Sequence, residues 1–269
     1  MLSPTNTPSR PLAVVTGASA GIGRTYCERL AERGHDVLLV ARDATRLAAA
    51  ADELTARHDI VARVHAADLA DEGAVEALAA MLASEPRVDV LVNNAGFGTK
   101  GTLARTDPAM QQRLVRVHCL TPLRLAQAVL PGMIARRAGA IVNVASIAAF
   151  ITAPGNVTYS AAKSFVRILA EGMAAETVGT GVRVQALCPG FTRTEFQQRM
   201  GADPDQIPPW LWMTADAVVD ASLRALDRGG PVNVVPGLRY RALATLFRHA
   251  PLRVLGWVES RAPRSRTRA

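Results

Sequence analysis

Through its first 190 residues the chain alternates short apolar runs with longer stretches of helical period, a rhythm few folds accept. Runs at 12–16, 36–41, 60–66, 88–92, 140–144, 182–187 and 232–235 read as strands. Their continuous Val, Ile and Leu character predicts burial on both faces, as in a parallel sheet covered by helices. Helical patterns at about 21–33, 44–57, 72–83, 108–136, 157–178 and 215–227 fill the intervals. Right-handed crossovers then give an α/β fold, a doubly wound, seven-stranded parallel sheet with helices on both faces. No repeat or low-complexity linker divides it, so 11–236 reads as a single Rossmann-type domain after a flexible 1–10.

With 269 residues, 49% hydrophobic and 20% charged, the chain is neither disordered nor fibrous. Its three scattered cysteines, Cys27, Cys119 and Cys188, form neither a disulfide framework nor a C-x-x-C metal pair, so no metal is expected. The first ten residues lack the apolar core of a signal peptide. The uncharged stretch 138–154, broken by Asn143, Ser146 and Thr152, falls short of the roughly 18–20 apolar residues of a membrane span. A soluble, cytoplasmic protein is expected. The formal charge of +8 does not indicate a nucleic-acid surface: eight arginines and one acid, Glu259, lie from Arg239 onward, leaving +1 for residues 1–238.

The first strand runs into a helix through Gly17-Ala18-Ser19-Ala20-Gly21-Ile22-Gly23. Glycines there let a pyrophosphate approach the backbone, and the helix N-terminus offers free N–H groups. An unrelated tight turn is the plainer alternative. The second strand ends Ala41-Arg42-Asp43. Ala41 stands where an acid would read a ribose hydroxyl, and Arg42 suits a 2′-phosphate, so NADP(H) is preferred over NAD(H). Asp43 reads as a helix cap. Tyr159 and Lys163, four apart on a helix, share one face, and Ser146 precedes the tyrosine by thirteen residues. A phenol titrates near pH 10, and a neighbouring ammonium in a partly desolvated site, with a cationic nicotinamide beside it, is expected to bring it down toward neutrality.

Together these residues resemble the short-chain dehydrogenases/reductases over about 12–236. The likeness includes Asp68-Leu69, Asn93-Asn94-Ala95-Gly96 and Cys188-Pro189-Gly190-Phe191-Thr192, each just after a strand. The resemblance implies Asp68 and Leu69 at the adenine, Asn94, Ala95 and Gly96 beside the adenosine ribose, and Pro189, Gly190 and Thr192 along the nicotinamide. It implies an enzyme in which Tyr159 exchanges a proton with the substrate oxygen, Ser146 positions that oxygen, and Lys163 holds the nicotinamide ribose. His118 stands where the family usually carries an asparagine that holds a water. Either the imidazole hydrogen-bonds in its place, or it joins the proton path and titrates near pH 6.5.

Phe97, Phe150, Phe191, Phe196, Trp210 and Trp212 fall in segments expected around the carbonyl, with few charges. An apolar carbonyl or alcohol fits: a 3-oxoacyl thioester, a steroid-like ketone or a lipid-derived one. The proline-broken 194–213 reads as a lid. Residues 237–260 read as an amphipathic helical extension interrupted by Pro251, and 261–269 as a disordered basic tail. The extension packs on the body or a partner subunit, or else contacts an anionic membrane surface. A homo-oligomer, dimer or tetramer, follows from the resemblance. The competing functional reading is a catalytically silent dinucleotide sensor or scaffold.

Overall fold

A computed structural model describes residues 10–151, 154–196 and 207–249 of the chain. One sheet holds β1 (Leu12–Thr16), β2 (Asp36–Ala41), β3 (Ala62–Ala66), β4 (Val90–Asn93), β5 (Gly139–Val144), β6 (Val182–Leu187) and β7 (Asn233–Val234). All pairings are parallel, in the order β3-β2-β1-β4-β5-β6-β7. The chain starts mid-sheet, winds out to β3, then crosses back to lay β4 beside β1. That reversal opens a crevice at the carboxyl ends of β1 and β4, where ligands bind in such sheets.

The helices are α1 (Gly21–Glu32), α2 (Ala44–Arg57), α3 (Glu72–Ser84), α4 (Pro108–Val115), α5 (Thr121–Arg136), α6 (Val157–Glu176), α7 (Ala215–Asp227) and α8 (Leu238–His249). Short polar side chains start several of them. Asp43 accepts from the Arg46 N–H at 3.0 Å, Asp71 from Ala74 at 2.8 Å and Thr214 from Ala217 at 3.1 Å. Asp43 therefore caps α2, as its position in the sequence suggests.

Alternate residues of each central strand feed two cores. Val14, Leu38, Leu91, Ile141 and Val184 meet α3, α5 and α6 on one face; Val15, Leu39, Val92 and Val142 meet α1, α2 and α7 on the other. Double coverage explains the unbroken apolar runs. The exception is β3, where Arg63 and Val64 are exposed. As an edge strand whose only neighbour among the described residues is β2, it lacks the two-sided burial expected of it.

The helix expected over 108–136 is not continuous. A wider π turn, Arg116–Leu120, separates α4 from α5 and buries Val117, His118 and Cys119. Pro122 lacks the N–H that would bond the carbonyl four residues back, at His118, which favours a break there.

Beyond β7 the extension forms α8, which buries Tyr240 and Ala244 against the 3₁₀ turn Ile147–Phe150. The part of it within the described residues packs on the body. The second half of the extension, the basic tail and half of the expected lid (197–206) lie outside the described residues, as do residues 1–9. Arg10, expected to be flexible, pairs with Asp59 at 2.6 Å. Among the described residues no helix is long and apolar enough to cross a membrane.

Candidate active site

A cavity of about 850 Å³ lies along the carboxyl edge of the sheet. One end is the turn after β1. Gly17 has φ +67° and Gly21 φ +55°, conformations that disfavour any side chain. The turn is stitched to the one after β4. The Thr16 hydroxyl accepts the N–H groups of Asn94 (2.9 Å) and Ala95 (3.0 Å), and Asn94 Nδ2 donates to the Thr16 carbonyl at 2.9 Å. Ser19, Ala20, Gly21 and Ile22 line the cavity where α1 begins, and among the described residues no side chain caps that helix. Its first-turn N–H groups are thus available to an anion. Gly23, expected to touch a coenzyme, is not on the cavity wall. It is buried where a β-carbon would collide with the Gly17 carbonyl, so its place is in packing helix against turn.

Arg42, Arg46 and Arg113 line the same end. Arg46 holds Glu195 through two hydrogen bonds, of 2.5 and 2.9 Å, joining α2 to the segment after β6. Asp68, on the wall as expected, accepts from Arg113 at 2.7 Å and from the Ala70 N–H at 3.0 Å. Burial raises the carboxyl's pKa, but Arg113 and the backbone N–H outweigh it and leave it below the ordinary value. Neither Arg46 nor Arg113 stands out in the sequence, because their partners lie 149 and 45 residues away.

At the other end Ser146, Tyr159 and Lys163 come together. Ser146 follows β5, and its hydroxyl accepts the Ala148 N–H at 3.1 Å. Tyr159 and Lys163 project from α6 and are buried, and both line the cavity together with Ser146. Lys163 Nζ donates to the Val144 carbonyl at 2.7 Å and lies 5.7 Å from the centre of the Tyr159 ring. The ammonium by itself does not bring the tyrosine down. Burial pushes Tyr159 up to about 12, opposed only by Ser146, and pushes Lys163 down to about 8.

His118 is fully buried within the π turn. Its Nε2 meets the Phe97 backbone (3.0 Å to N, 2.8 Å to O), and its ring stands edge-on to Phe97 and Tyr159, with centroids 5.9 and 5.6 Å away. Burial, then the charge of Lys163, hold its pKa well below 6.5. A titration near pH 6.5 is therefore not expected of this imidazole, and the reading in which it only hydrogen-bonds in the asparagine's place gains.

Phe97, Phe191 and Phe196 line the cavity as anticipated, but Phe150, Trp210 and Trp212 do not. Phe150 packs on the core beneath the Arg167 guanidinium, 5.1 Å from its ring centre. Trp210 is 63% exposed, and Trp212 lies behind Phe191, under Arg193. Ile147, Ile151, Asn156 and Ile207 take their place on the wall. Leu69, Asn94, Ala95, Gly96, Pro189, Gly190 and Thr192 all line it.

Residues 11–205 match the family model described as short chain dehydrogenase. The chain belongs to this family. As a short-chain dehydrogenase it is an oxidoreductase acting on CH–OH and C=O groups. It is 37% identical over 204 residues to a galactitol 2-dehydrogenase (L-tagatose-forming) of Cereibacter sphaeroides, covering 75% of this chain and 79% of that one. A short-chain dehydrogenase from Sphingobium yanoikuyae, solved in complex with NADPH, superposes with a TM-score of 0.81 at 34% identity, covering 96% and 98% of the two chains. The bulky-bulky ketone specific alcohol dehydrogenase from Comamonas testosteroni gives 0.77 at 31% identity, with 96% of both covered.

Proposed function

We propose that this short-chain dehydrogenase interconverts an apolar ketone and its secondary alcohol with NADP(H), using Tyr159 as the acid and base. The observation that carries the reading is the convergence of Ser146, Tyr159 and Lys163 at one end of a cavity whose other end is an uncapped helix N-terminus flanked by arginines. Such an end suits a phosphorylated dinucleotide. Ala41, standing where an acid would read a ribose hydroxyl, and Arg42, now joined by Arg46, favour a 2′-phosphate, while Asp43 is taken up in capping α2. The relative bound to NADPH supports the same choice. When bound, the coenzyme supplies or accepts the hydride.

In reduction the Tyr159 hydroxyl gives its proton to the carbonyl oxygen as that oxygen gains charge, and the Ser146 hydroxyl donates a hydrogen bond to the same oxygen. A phenol held at about 12 is protonated at neutral pH, the state reduction needs. Lys163 is anchored by Val144 and presents its positive charge beside the ring, where it stabilises the phenolate left behind. The silent-sensor alternative is disfavoured, because a sensor has no use for this acid.

Phe97, Phe191, Phe196, Ile147, Ile151 and Ile207 supply a largely apolar wall. It favours a 3-oxoacyl thioester, a steroid-like ketone or a lipid-derived ketone over a polyol, whose hydroxyls would lose water without gaining partners. Exposed Met110, Val115, Leu120, Phe165 and Ile168 on α4 to α6 support a homo-oligomer, which sedimentation would read directly. Contact of the basic C-terminal segment with an anionic membrane rests on its sequence alone. The deciding experiment is NADPH oxidation across long-chain acyl, steroid and aromatic ketones. Turnover confined to apolar ketones is expected; turnover of keto-sugars alone would overturn the substrate class, and no turnover of any carbonyl would overturn the reading.

A further inference from the structure

We propose that Tyr240, on the helix after the last strand, is a positioning residue that sets the cavity wall beside Ser146 and thereby holds the nicotinamide end of the coenzyme; this rests on the dinucleotide reading above. The wall in question is Pro189-Gly190-Phe191, all three on the cavity. It adjoins the reactive groups directly, since the Pro189 carbonyl accepts the N–H of Ile147, the residue after Ser146, at 2.9 Å. A nicotinamide placed to exchange hydride with a carbonyl held by Ser146 and Tyr159 must lie against this segment.

The segment lies beyond the end of β6 and is held by few regular backbone bonds. Phe191 accepts the Met213 N–H at 2.9 Å, while its own N–H donates to the Tyr240 hydroxyl oxygen at 3.0 Å. That hydroxyl in turn donates to the Leu211 carbonyl at 2.6 Å. One phenol thus ties two loop backbones together from behind. Its ring, 1% exposed, fills the hollow beside Gly190 so closely that a β-carbon on Gly190 would collide with it. Ala244, one turn further along α8, is buried in the same contact, so the helix that carries the phenol is itself docked. Removing the hydroxyl alone would leave the ring packed but free both backbone groups, letting the wall drift at the nicotinamide end only.

The test is the full chain carrying Tyr240→Phe, titrated by calorimetry with NADPH and with 2′-phospho-ADP-ribose, which lacks the nicotinamide. NADPH binding should weaken about fivefold, the worth of one ordinary hydrogen bond, while the fragment binds as it does to the wild type. Equal weakening of both ligands would make Tyr240 a general structural residue, and unchanged binding of both would deny it any role; either overturns the proposal. A wild-type chain that binds neither ligand would instead remove the dinucleotide reading, and this inference with it.

Discussion

Gly96 and His118 are matched: a β-carbon on residue 96 would fall 2.5 Å from the imidazole Cε1 and 2.9 Å from Nε2. The glycine of the Asn-Asn-Ala-Gly turn is thus required by a side chain 22 residues later, which in turn touches the Tyr159 ring. Gly96→Ala should push the imidazole off the Phe97 backbone and cost about 1–3 kcal/mol. Gly172→Ala, in the interior of α6 with open space around it, should stabilise by about 0.5–1 kcal/mol. Denaturant midpoints of the two variants check both, and a Gly96→Ala protein as stable as the wild type would mean the ring can swing aside freely.

Because burial and Lys163 keep His118 neutral, His118→Asn should leave the shape of the pH–rate profile unaltered around pH 6.5. A limb near that pH in the wild type that disappears in the variant would assign the imidazole a titrating role after all.

Tyr159→Phe removes the proposed proton donor and keeps the ring. Turnover of a ketone should drop about 10²–10⁴-fold, the usual worth of a positioned acid, with the NADPH dissociation constant nearly unchanged. Single-turnover kinetics and a binding titration separate the two effects; a variant with near-normal turnover would take the phenol out of the chemistry.

Lys163 connects the site to stability. Its pKa falls from 10.5 to about 8 on folding because burial disfavours the charge. Between those values the unfolded chain holds the proton that the folded one has released, so stability rises with pH across the window. The burial penalty is fully present below about 8. Relative to Lys163→Met, the wild type should therefore gain about 1–3 kcal/mol between pH 7 and roughly pH 10.5. Unfolding midpoints measured along that range decide it, and a pH-independent difference would show the lysine titrating as though exposed.

Arg42→Ala should weaken NADPH binding about tenfold, the scale of a hydrogen bond to a charged group, and leave NADH binding almost unchanged. Equal losses for both coenzymes would place the guanidinium away from the 2′-phosphate. Arg46→Ala tests whether the neighbouring guanidinium, paired with Glu195, shares that load.

Much of this was readable along the chain. The order of strands and helices, the glycine turn, the capping role of Asp43 and the shared face of Tyr159 and Lys163 are local properties, expressed in periodicity and short spacing. Where the reading went astray, the cause was contact between distant segments. Nothing local distinguishes β3 as an edge strand, or tells that Phe196 faces the cavity while Phe150, in a neighbouring segment, lies under Arg167.

The sequence by itself thus determined the architecture and which residues are candidates for the chemistry, because backbone periodicity and residue chemistry travel with the chain. Only the tertiary structure decided the electrostatics and the supports: a phenol raised by burial, an imidazole kept neutral, Arg113 on Asp68, and Tyr240 behind Phe191. Those depend on how much water is excluded around each group and on which remote segment excludes it. Desolvation and packing belong to the folded ensemble of segments and to none of them singly.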